Sequence, residues 1–132
     1  MTYSHNTNIT FAALLKNGEI FSSEERGIKP MLIKLAEDEA FFRGSTVIDK
    51  VVGKAAALLA IKAGVEFVSA GVISLPALEV FREAGLPFKY NVLVPRIENR
   101  SKTGLCPMEA LTLSIDDPEE AFILLKEKVL ND

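Results

Sequence analysis

The apolar and polar positions fall into short blocks along the chain, and the first two blocks predict a β-hairpin. An apolar run over 9–15 precedes Lys16-Asn17-Gly18-Glu19, and apolar positions resume at 20 and 21. Asn-Gly between two apolar runs is a strong hairpin signal, because both residues of the tight turn take positive φ. We therefore predict antiparallel strands over 9–15 and 19–23, with Asn17 and Gly18 both at positive φ.

The next blocks predict two helices with a short connection between them. Lys29-Pro30 is typical of a helix start, because proline needs no N–H partner in the first turn. The buried stripe of this helix would be Leu32, Leu35, Ala36 and Ala40. After a connection over 44–49, a second helix is expected from Lys50 to Ala63, with Gly64 as a left-handed C-cap. The second helix is apolar almost all round, so it should lie in the middle of the fold.

The remaining blocks complete an α/β pattern. The mostly apolar run 66–73 predicts a parallel strand covered on both faces, and the alternating run 88–94 predicts a strand with a more exposed face. Helices are expected over 74–84, 107–113 and 117–130. The order β-β-α-α-β-α-β-α-α predicts a three-layer α/β fold. Its mixed sheet would begin with the hairpin and continue with parallel strands, with helices on both faces.

Composition and charge narrow the class of protein. The 132 residues, 48% of them apolar, fit a single domain over 1–132 with residues 1–8 as a flexible polar tail. A net charge of -3 with scattered lysines and arginines argues against a nucleic-acid partner. We also expect no membrane partner, because charged residues interrupt the apolar runs before they reach the roughly 20 residues of a membrane span. The N-terminus lacks a signal-peptide pattern, which favours a cytoplasmic protein.

Cysteine and histidine occur once each, as Cys106 and His5. Two such residues cannot supply the three or four ligands of a zinc site or an iron–sulfur cluster. A metal site built from carboxylates stays open on this count, but no pair of carboxylates at a plausible spacing stands out, so we expect no metal and no cofactor. The unpaired thiol also suits the reducing interior of a cell.

Two segments carry a resemblance to a known group of proteins. Residues Asp49–Ala57 and Thr103–Glu109 together resemble a small uncharacterised bacterial family, a domain of unknown function within the cytidine-deaminase-like superfamily. The element order over 9–113 also resembles the fold of that superfamily. Its zinc deaminases place His-x-Glu or Cys-x-Glu at the start of the central helix and Pro-Cys-x-x-Cys at the start of the next. The corresponding segments here, 53–56 and 73–77, hold no His, Cys or Glu, so the resemblance implies the fold without zinc-dependent deamination.

Four candidate ligand-binding residues lie near predicted helix starts. Gly53 and Lys54 would attract a phosphate or carboxylate if the helix effectively begins there, since its first N–H groups are free. Asp49 would cap this helix and Ser74 the next one. All four would then lie at the carboxyl ends of the parallel strands, where open α/β sheets place ligands. The alternative is that Gly53 only permits close packing and that Lys54 extends to solvent.

Cys106 and Glu109 form the second candidate group. A cysteine directly before a helix that starts with Pro107 lies at the positive end of the helix dipole, which favours the thiolate. Glu109 follows three residues later and could accept the Cys106 N–H, as in a capping box. The alternative is a buried cysteine that acts as a small apolar residue. The single histidine, His5, lies in the predicted flexible tail, so we expect no Cys–His dyad.

Three functions stay open. The first, which we favour, is a metal-free domain that binds a small anionic or nucleoside- or nucleotide-like ligand with Lys54 and a clamp from the loop residues Arg100, Thr103 and Gly104. The second is a metal-free enzyme that uses Cys106 as a nucleophile or redox thiol, with Glu109 beside it. The third is a structural, oligomer-forming domain. A mean hydropathy of +0.22 is consistent with a buried interface, and we expect a homo-oligomer.

Overall fold

A computed structural model describes residues 8–99 and 101–130 of the chain. Most of the tail predicted over 1–8 therefore lies outside the described residues. The strands are β1 Phe11–Leu14, β2 Ile20–Ser23, β3 Thr46–Val52, β4 Phe67–Ser74 and β5 Phe88–Val94. The helices are α1 Lys29–Glu37, α2 Lys54–Ala63, α3 Leu75–Ala84, α4 Pro107–Thr112 and α5 Pro118–Leu125, and a π-helical turn over Lys126–Leu130 continues α5.

The five strands form one mixed sheet in the order β2-β1-β3-β4-β5. The hairpin strands β1 and β2 pair antiparallel, β1 also pairs antiparallel with β3, and β3, β4 and β5 are parallel. This confirms the mixed sheet that begins with a hairpin and continues with parallel strands.

The hairpin turn differs from the predicted one in its backbone. The Gly18 N–H donates to the Leu15 carbonyl, and the Leu15 N–H donates to the Glu19 carbonyl, so the loop holds three residues. Gly18 has φ 93°, whereas Asn17 does not take positive φ. A three-residue loop needs only one left-handed residue, so the expectation of two was wrong.

The central strand β3 is the largest departure from the predicted order. Residues 46–49 were expected in a connection and 50–52 in a helix, but 46–49 pair with β1 on one side and β4 on the other, and Val51 and Val52 continue the pairing with β4. Asp49 therefore lies within a strand and does not cap α2. Ile48 and Val51 are half-exposed in this strand, at 46% and 49%, so its apolar positions do not follow the burial pattern of a central parallel strand. The element order is β-β-α-β-α-β-α-β-α-α.

The helices cover one face of the sheet. Consecutive right-handed crossovers that advance in one direction along a sheet place their helices on the same face. Helix α2 is buried almost throughout, as predicted, and α3 and α5 both pack against it. The prediction of helices on both faces was wrong for the described residues, because the other face exposes large aliphatic side chains. Of the predicted α1 stripe, Leu32 and Leu35 are buried, whereas Ala36 in the last turn and Ala40 beyond the helix end at Glu37 are exposed.

Several local predictions are confirmed. Gly64 caps the end of α2 in the left-handed region at φ 74°, and Gly85 does the same for α3 at φ 73°. The Ser74 hydroxyl accepts the Ala77 N–H at 3.2 Å, and the Asp117 carboxylate accepts the Glu120 N–H at 2.9 Å. These caps are local features that neighbouring residues determine.

Gly71 allows β3 and β4 to approach each other closely. It lies at the point where the alternation of buried and exposed side chains along β4 shifts by one residue. Before this point β4 buries Val68 and Ala70, and after it the strand buries Ile73, so the alternation moves by one residue. A Cβ atom at position 71 would lie 2.6 Å from the Lys50 carbonyl oxygen, a rigid backbone atom. Glycine is therefore required here by space.

We expect Gly71→Ala to lower the free energy of unfolding by about 2–3 kcal/mol, because the two strands must separate to admit a methyl group. Urea denaturation measures the change. Gly104→Ala is the matched control, since its Cβ would meet only the Asn99 Nδ2 atom at 3.9 Å. Equal stability of the two variants would contradict this account of Gly71.

Candidate functional site

The carboxyl ends of β3, β4 and β5 lie together because these strands are parallel neighbours. Gly53 follows β3, Ser74 ends β4, and the segment from Pro95 onwards follows β5. Helix α4 returns to the same region after this segment. The fold therefore brings the starts of α2, α3 and α4 to one edge of the sheet.

A carboxylate from α4 caps the first turn of α2. The Lys54 N–H donates to Glu109 Oε1. The N–H groups of Ala55 and Ile97 also stabilise the Glu109 carboxylate. Glu109 is buried, at 4% exposure, and this burial raises its pKa, while the three N–H groups oppose the rise. A negative charge at this position also interacts favourably with the α2 dipole.

Gly53 makes room for this carboxylate. A Cβ atom at position 53 would collide with the Glu109 carboxyl group and lie 3.1 Å from the Ile97 side chain. Gly53 has extended backbone, so space and not conformation requires glycine. The predicted anion site at the start of α2 therefore contains an anion that belongs to the protein itself.

The predicted capping box between Cys106 and Glu109 is not formed. The Cys106 N–H donates to the Ile97 carbonyl at 2.9 Å, and Glu109 reaches α2 instead. Cys106 is the N-cap residue of α4, but its side chain makes no capping hydrogen bond. It is a partly buried free thiol, and no residue in 8–99 or 101–130 is a histidine. A Cys106 nucleophile stays a prediction.

The Lys54 side chain is almost completely buried beside the cap. Its Nζ donates to the Leu113 carbonyl at 3.0 Å and forms an ion pair with Asp116 Oδ1 at 2.9 Å. The Lys54 side chain is 9% exposed, whereas the Asp116 side chain is 91% exposed. The expected alternative, a lysine that extends to solvent, is therefore wrong.

Lys54 also lines a cavity of about 280 Å³ between α2, α3 and the start of α5. The apolar lining comes from both helices and from two prolines, Pro76 and Pro118. The charged lining consists of Lys54 together with the carboxylates of Glu79, Glu83 and Asp116. The cavity thus combines one buried cation with three acidic groups at its rim.

The other predicted site residues are dispersed. Ser74 is buried and caps α3, while Asp49 lies in the sheet, where burial raises its pKa to about 8. Thr103 and Gly104 belong to an exposed loop, in which the Asn99 side chain accepts the Thr103 N–H at 3.0 Å and the Asn99 N–H donates to the Gly104 carbonyl at 2.9 Å. Arg100 lies outside the described residues. Of the four that the structure describes, Ser74, Asp49, Thr103 and Gly104, none lines the cavity that contains Lys54.

Sequence reasoning missed the acidic part of this site. Asp116 is the ion-pair partner of Lys54 across 62 positions, and no short-range pattern links the two residues. Glu79 and Glu83 are four residues apart on α3, a spacing that places both on one helix face. That spacing was the available signal, but it does not say which neighbour the face meets.

No group of three or more His, Cys, Asp or Glu side chains in 8–99 and 101–130 could hold a metal ion. In the same part of the chain, no helix has the length and apolar content needed to span a bilayer.

Comparison with known proteins places the chain in a family. A family model described as "TM1506: Domain of unknown function (DUF1893)" matches residues 3–129. The crystal structure of a DUF1893 family protein from Thermotoga maritima superposes with a TM-score of 0.82. It is 35% identical in sequence, and the match covers 94% of this chain and 83% of that chain. No curated protein matches the chain.

Proposed function

This chain belongs to the DUF1893 family of domains of unknown function, and from its geometry we propose that it binds a small molecule in the cavity beside Lys54. The ligand carries one anionic group and several hydrogen-bond donors, as a nucleoside monophosphate does. The observation that carries this proposal is a nearly buried ammonium group whose acidic partner is almost fully exposed.

Lys54 supplies the anion-binding group. The Leu113 carbonyl fixes its Nζ from one side at 3.0 Å, so the ammonium is oriented without a ligand. The Asp116 carboxylate contributes little binding energy to the pair because it is solvated. A ligand phosphate or carboxylate can therefore replace Asp116 on Lys54 at small cost and gain a charge-assisted hydrogen bond.

The carboxylates of α3 on the rim opposite Lys54 indicate which groups the rest of the ligand carries. Glu79 and Glu83 are hydrogen-bond acceptors, so they favour hydroxyl or amino groups such as those of a sugar or a base. They also disfavour a ligand with many negative charges, such as a triphosphate. The apolar side chains between the two rims would contact the flat or aliphatic part of the ligand.

A metal-free deaminase-like fold is part of this proposal. The leading hairpin and the alternation of helices and parallel strands agree with that resemblance. Once β3 is included in the element order, the first two helices after the hairpin are α1 and α2. Their starts, including the N-cap residues, lie at 28–31 and 53–56. Neither start contains His, Cys or Glu, so the expectation of no zinc-dependent deamination is independent of how the helices are counted.

A thermal-shift panel tests the proposal. We expect nucleoside monophosphates at a hundredfold excess over Kd to raise Tm by about 5–10 °C, because a ligand that binds only the native state stabilises it. The unphosphorylated nucleosides and inorganic phosphate should raise Tm less. Lys54→Met should abolish the shift, and Asp116→Asn should strengthen binding several-fold, because it removes the competing carboxylate.

Lys62→Met is the matched control for this experiment. Lys62 is also on α2 and also forms ion pairs, at 2.7 Å with Glu39, but it does not line the cavity. Its removal should leave the ligand-induced shift unchanged. Absence of a shift with every member of the panel, or an equal loss in both lysine variants, would contradict binding at Lys54.

A further inference from the structure

The turn between β1 and β2 holds the side chain of Asn17 across the peptide group that follows it. Asn17 Oδ1 accepts the Glu19 N–H at 2.9 Å, so the side chain bends back over the Gly18 nitrogen, which lies between the two residues. Asn17 Nδ2 donates to Glu19 Oε1 at 3.1 Å. Glu19 therefore holds both polar atoms of the Asn17 amide and keeps its carbonyl carbon close to the Gly18 nitrogen.

We propose that Asn17 is a deamidation site and that Glu19 promotes the reaction in the folded chain. In this reaction the Gly18 nitrogen attacks the side-chain carbonyl carbon of Asn17 and closes a succinimide ring. The side-chain nitrogen leaves as ammonia, and water then opens the ring. Asparagine is one of the chemically labile residues of proteins. The site is separate from the ligand proposal, since neither Asn17 nor Glu19 lines the cavity beside Lys54.

Gly18 leaves the attacking nitrogen accessible. A Cβ atom at position 18 would meet no other atom within 4 Å, and residues 16–20 are all exposed. The Gly18 N–H donates to the Leu15 carbonyl at 2.9 Å, and this hydrogen bond must open before the ring closes. Because the turn is exposed, water replaces this bond at small cost. Access to the nitrogen therefore depends on a single exposed hydrogen bond.

Glu19 assists both steps in which charge moves. Hydroxide from the solvent removes the Gly18 proton, the nitrogen bonds to the carbonyl carbon, and the carbonyl electron pair moves to Oδ1. The Glu19 N–H stabilises the negative charge there. The electron pair then re-forms the carbonyl and the bond to Nδ2 breaks. Nδ2 takes a proton from water to leave as ammonia, which regenerates the hydroxide, and the Glu19 carboxylate beside Nδ2 can carry that proton.

Opening of the ring changes the turn. Water breaks either ring bond to the Gly18 nitrogen, which regains its proton, and the product is aspartate or isoaspartate. Aspartate places a carboxylate oxygen where Asn17 Nδ2 donated to Glu19, so the attraction becomes a repulsion. Isoaspartate adds a methylene group to the main chain of the loop that the Leu15–Glu19 hydrogen bond closes at 2.8 Å. We therefore expect both products to loosen the edge strand β2.

Peptide mapping by mass spectrometry of the full chain, aged at neutral pH, tests the site. We expect Asn17 to deamidate several-fold faster in the folded chain than in the same chain unfolded in urea, because unfolding removes both contacts with Glu19. Asn91, at an exposed position of β5, is the internal reference and should gain nothing from folding. Faster deamidation of Asn17 in urea would overturn the proposal, because the turn would then protect the residue.

Glu19→Gln tests the contribution of the carboxylate and should slow deamidation of the folded chain several-fold. Glu24→Gln is the matched control, since it removes the same charge from an exposed position beyond the other end of β2. It should age like the wild type, and circular dichroism shows that each variant is folded. Equal rates in Glu19→Gln and the wild type would overturn the role of Glu19, as would a difference that persists in urea. Absence of deamidation at Asn17 would overturn the site itself.

Discussion

Glu109→Ala is expected to lower the free energy of unfolding by about 2–4 kcal/mol, because it removes the acceptor for N–H groups at the start of a buried helix. The Lys54 N–H donates to this carboxylate, and the N–H groups of Ala55 and Ile97 face it. Alanine leaves these donors without a protein partner and also leaves a cavity beside Gly53. Urea denaturation at neutral pH measures the loss.

Two further variants separate capping from general effects of the substitution. Glu109→Gln retains one acceptor oxygen and the side-chain volume, so it should lose about half as much stability as alanine. Glu127→Ala replaces an exposed glutamate in the last helical turn and should change stability by less than about 0.5 kcal/mol. If Glu109→Ala is as stable as Glu127→Ala, the carboxylate does not support the start of α2.

The second large effect is a fall in stability with rising pH. Asp49 lies on the covered face of the sheet, between Phe11 of β1 and Ala70 of β4. Burial raises the pKa of its carboxyl group to about 8, although hydrogen bonds from the N–H groups of Val51 and Lys50 oppose this rise. The folded chain therefore holds this proton more tightly than the unfolded chain, whose ordinary value is 3.8. The contribution of protonated Asp49 to the free energy of unfolding is fully present below about pH 4, and it is lost as the pH rises towards about 8.

We expect the free energy of unfolding to fall by about 2–4 kcal/mol across this interval, less than the full linkage value because Asp49 keeps some contact with water. Asp49→Asn should remove most of the slope and be more stable than the wild type at pH 8. Asp38→Asn, at an exposed position after α1, should leave the slope unchanged. Urea titrations at several pH values measure it, and an equal slope in the wild type and Asp49→Asn would contradict the assignment to Asp49.

The correction at Asp49 also shows where sequence reasoning failed. Asp49-Lys50 interrupts the apolar pattern of β3, and Ile48 and Val51 point to the uncovered side. Burial periodicity therefore could not distinguish this strand from the start of the apolar helix that follows it. The missing strand then shifted the count of helices on which the comparison with zinc deaminases was based.

Short-range features were predictable because neighbouring residues determine them. The hairpin, the Ser74 and Asp117 caps, the glycine C-caps and the buried character of α2 all follow from residues a few positions apart. The motifs at 49–57 and 103–109 were also sufficient to indicate a domain family of unknown function, which the family model confirms. These features needed no knowledge of which elements are neighbours in space.

Only the tertiary structure decided the chemistry of the candidate site and the uncovered face of the sheet. Glu109 reaches Lys54 across 55 positions and Asp116 reaches it across 62, so no local pattern could pair them. The same holds for the uncovered face of the sheet, whose exposed aliphatic side chains come from strands distributed between residues 11 and 94. The sequence by itself determined the elements that can form and their caps. Their packing determined which charges became partners and which apolar side chains stayed exposed, because burial depends on contacts between distant segments.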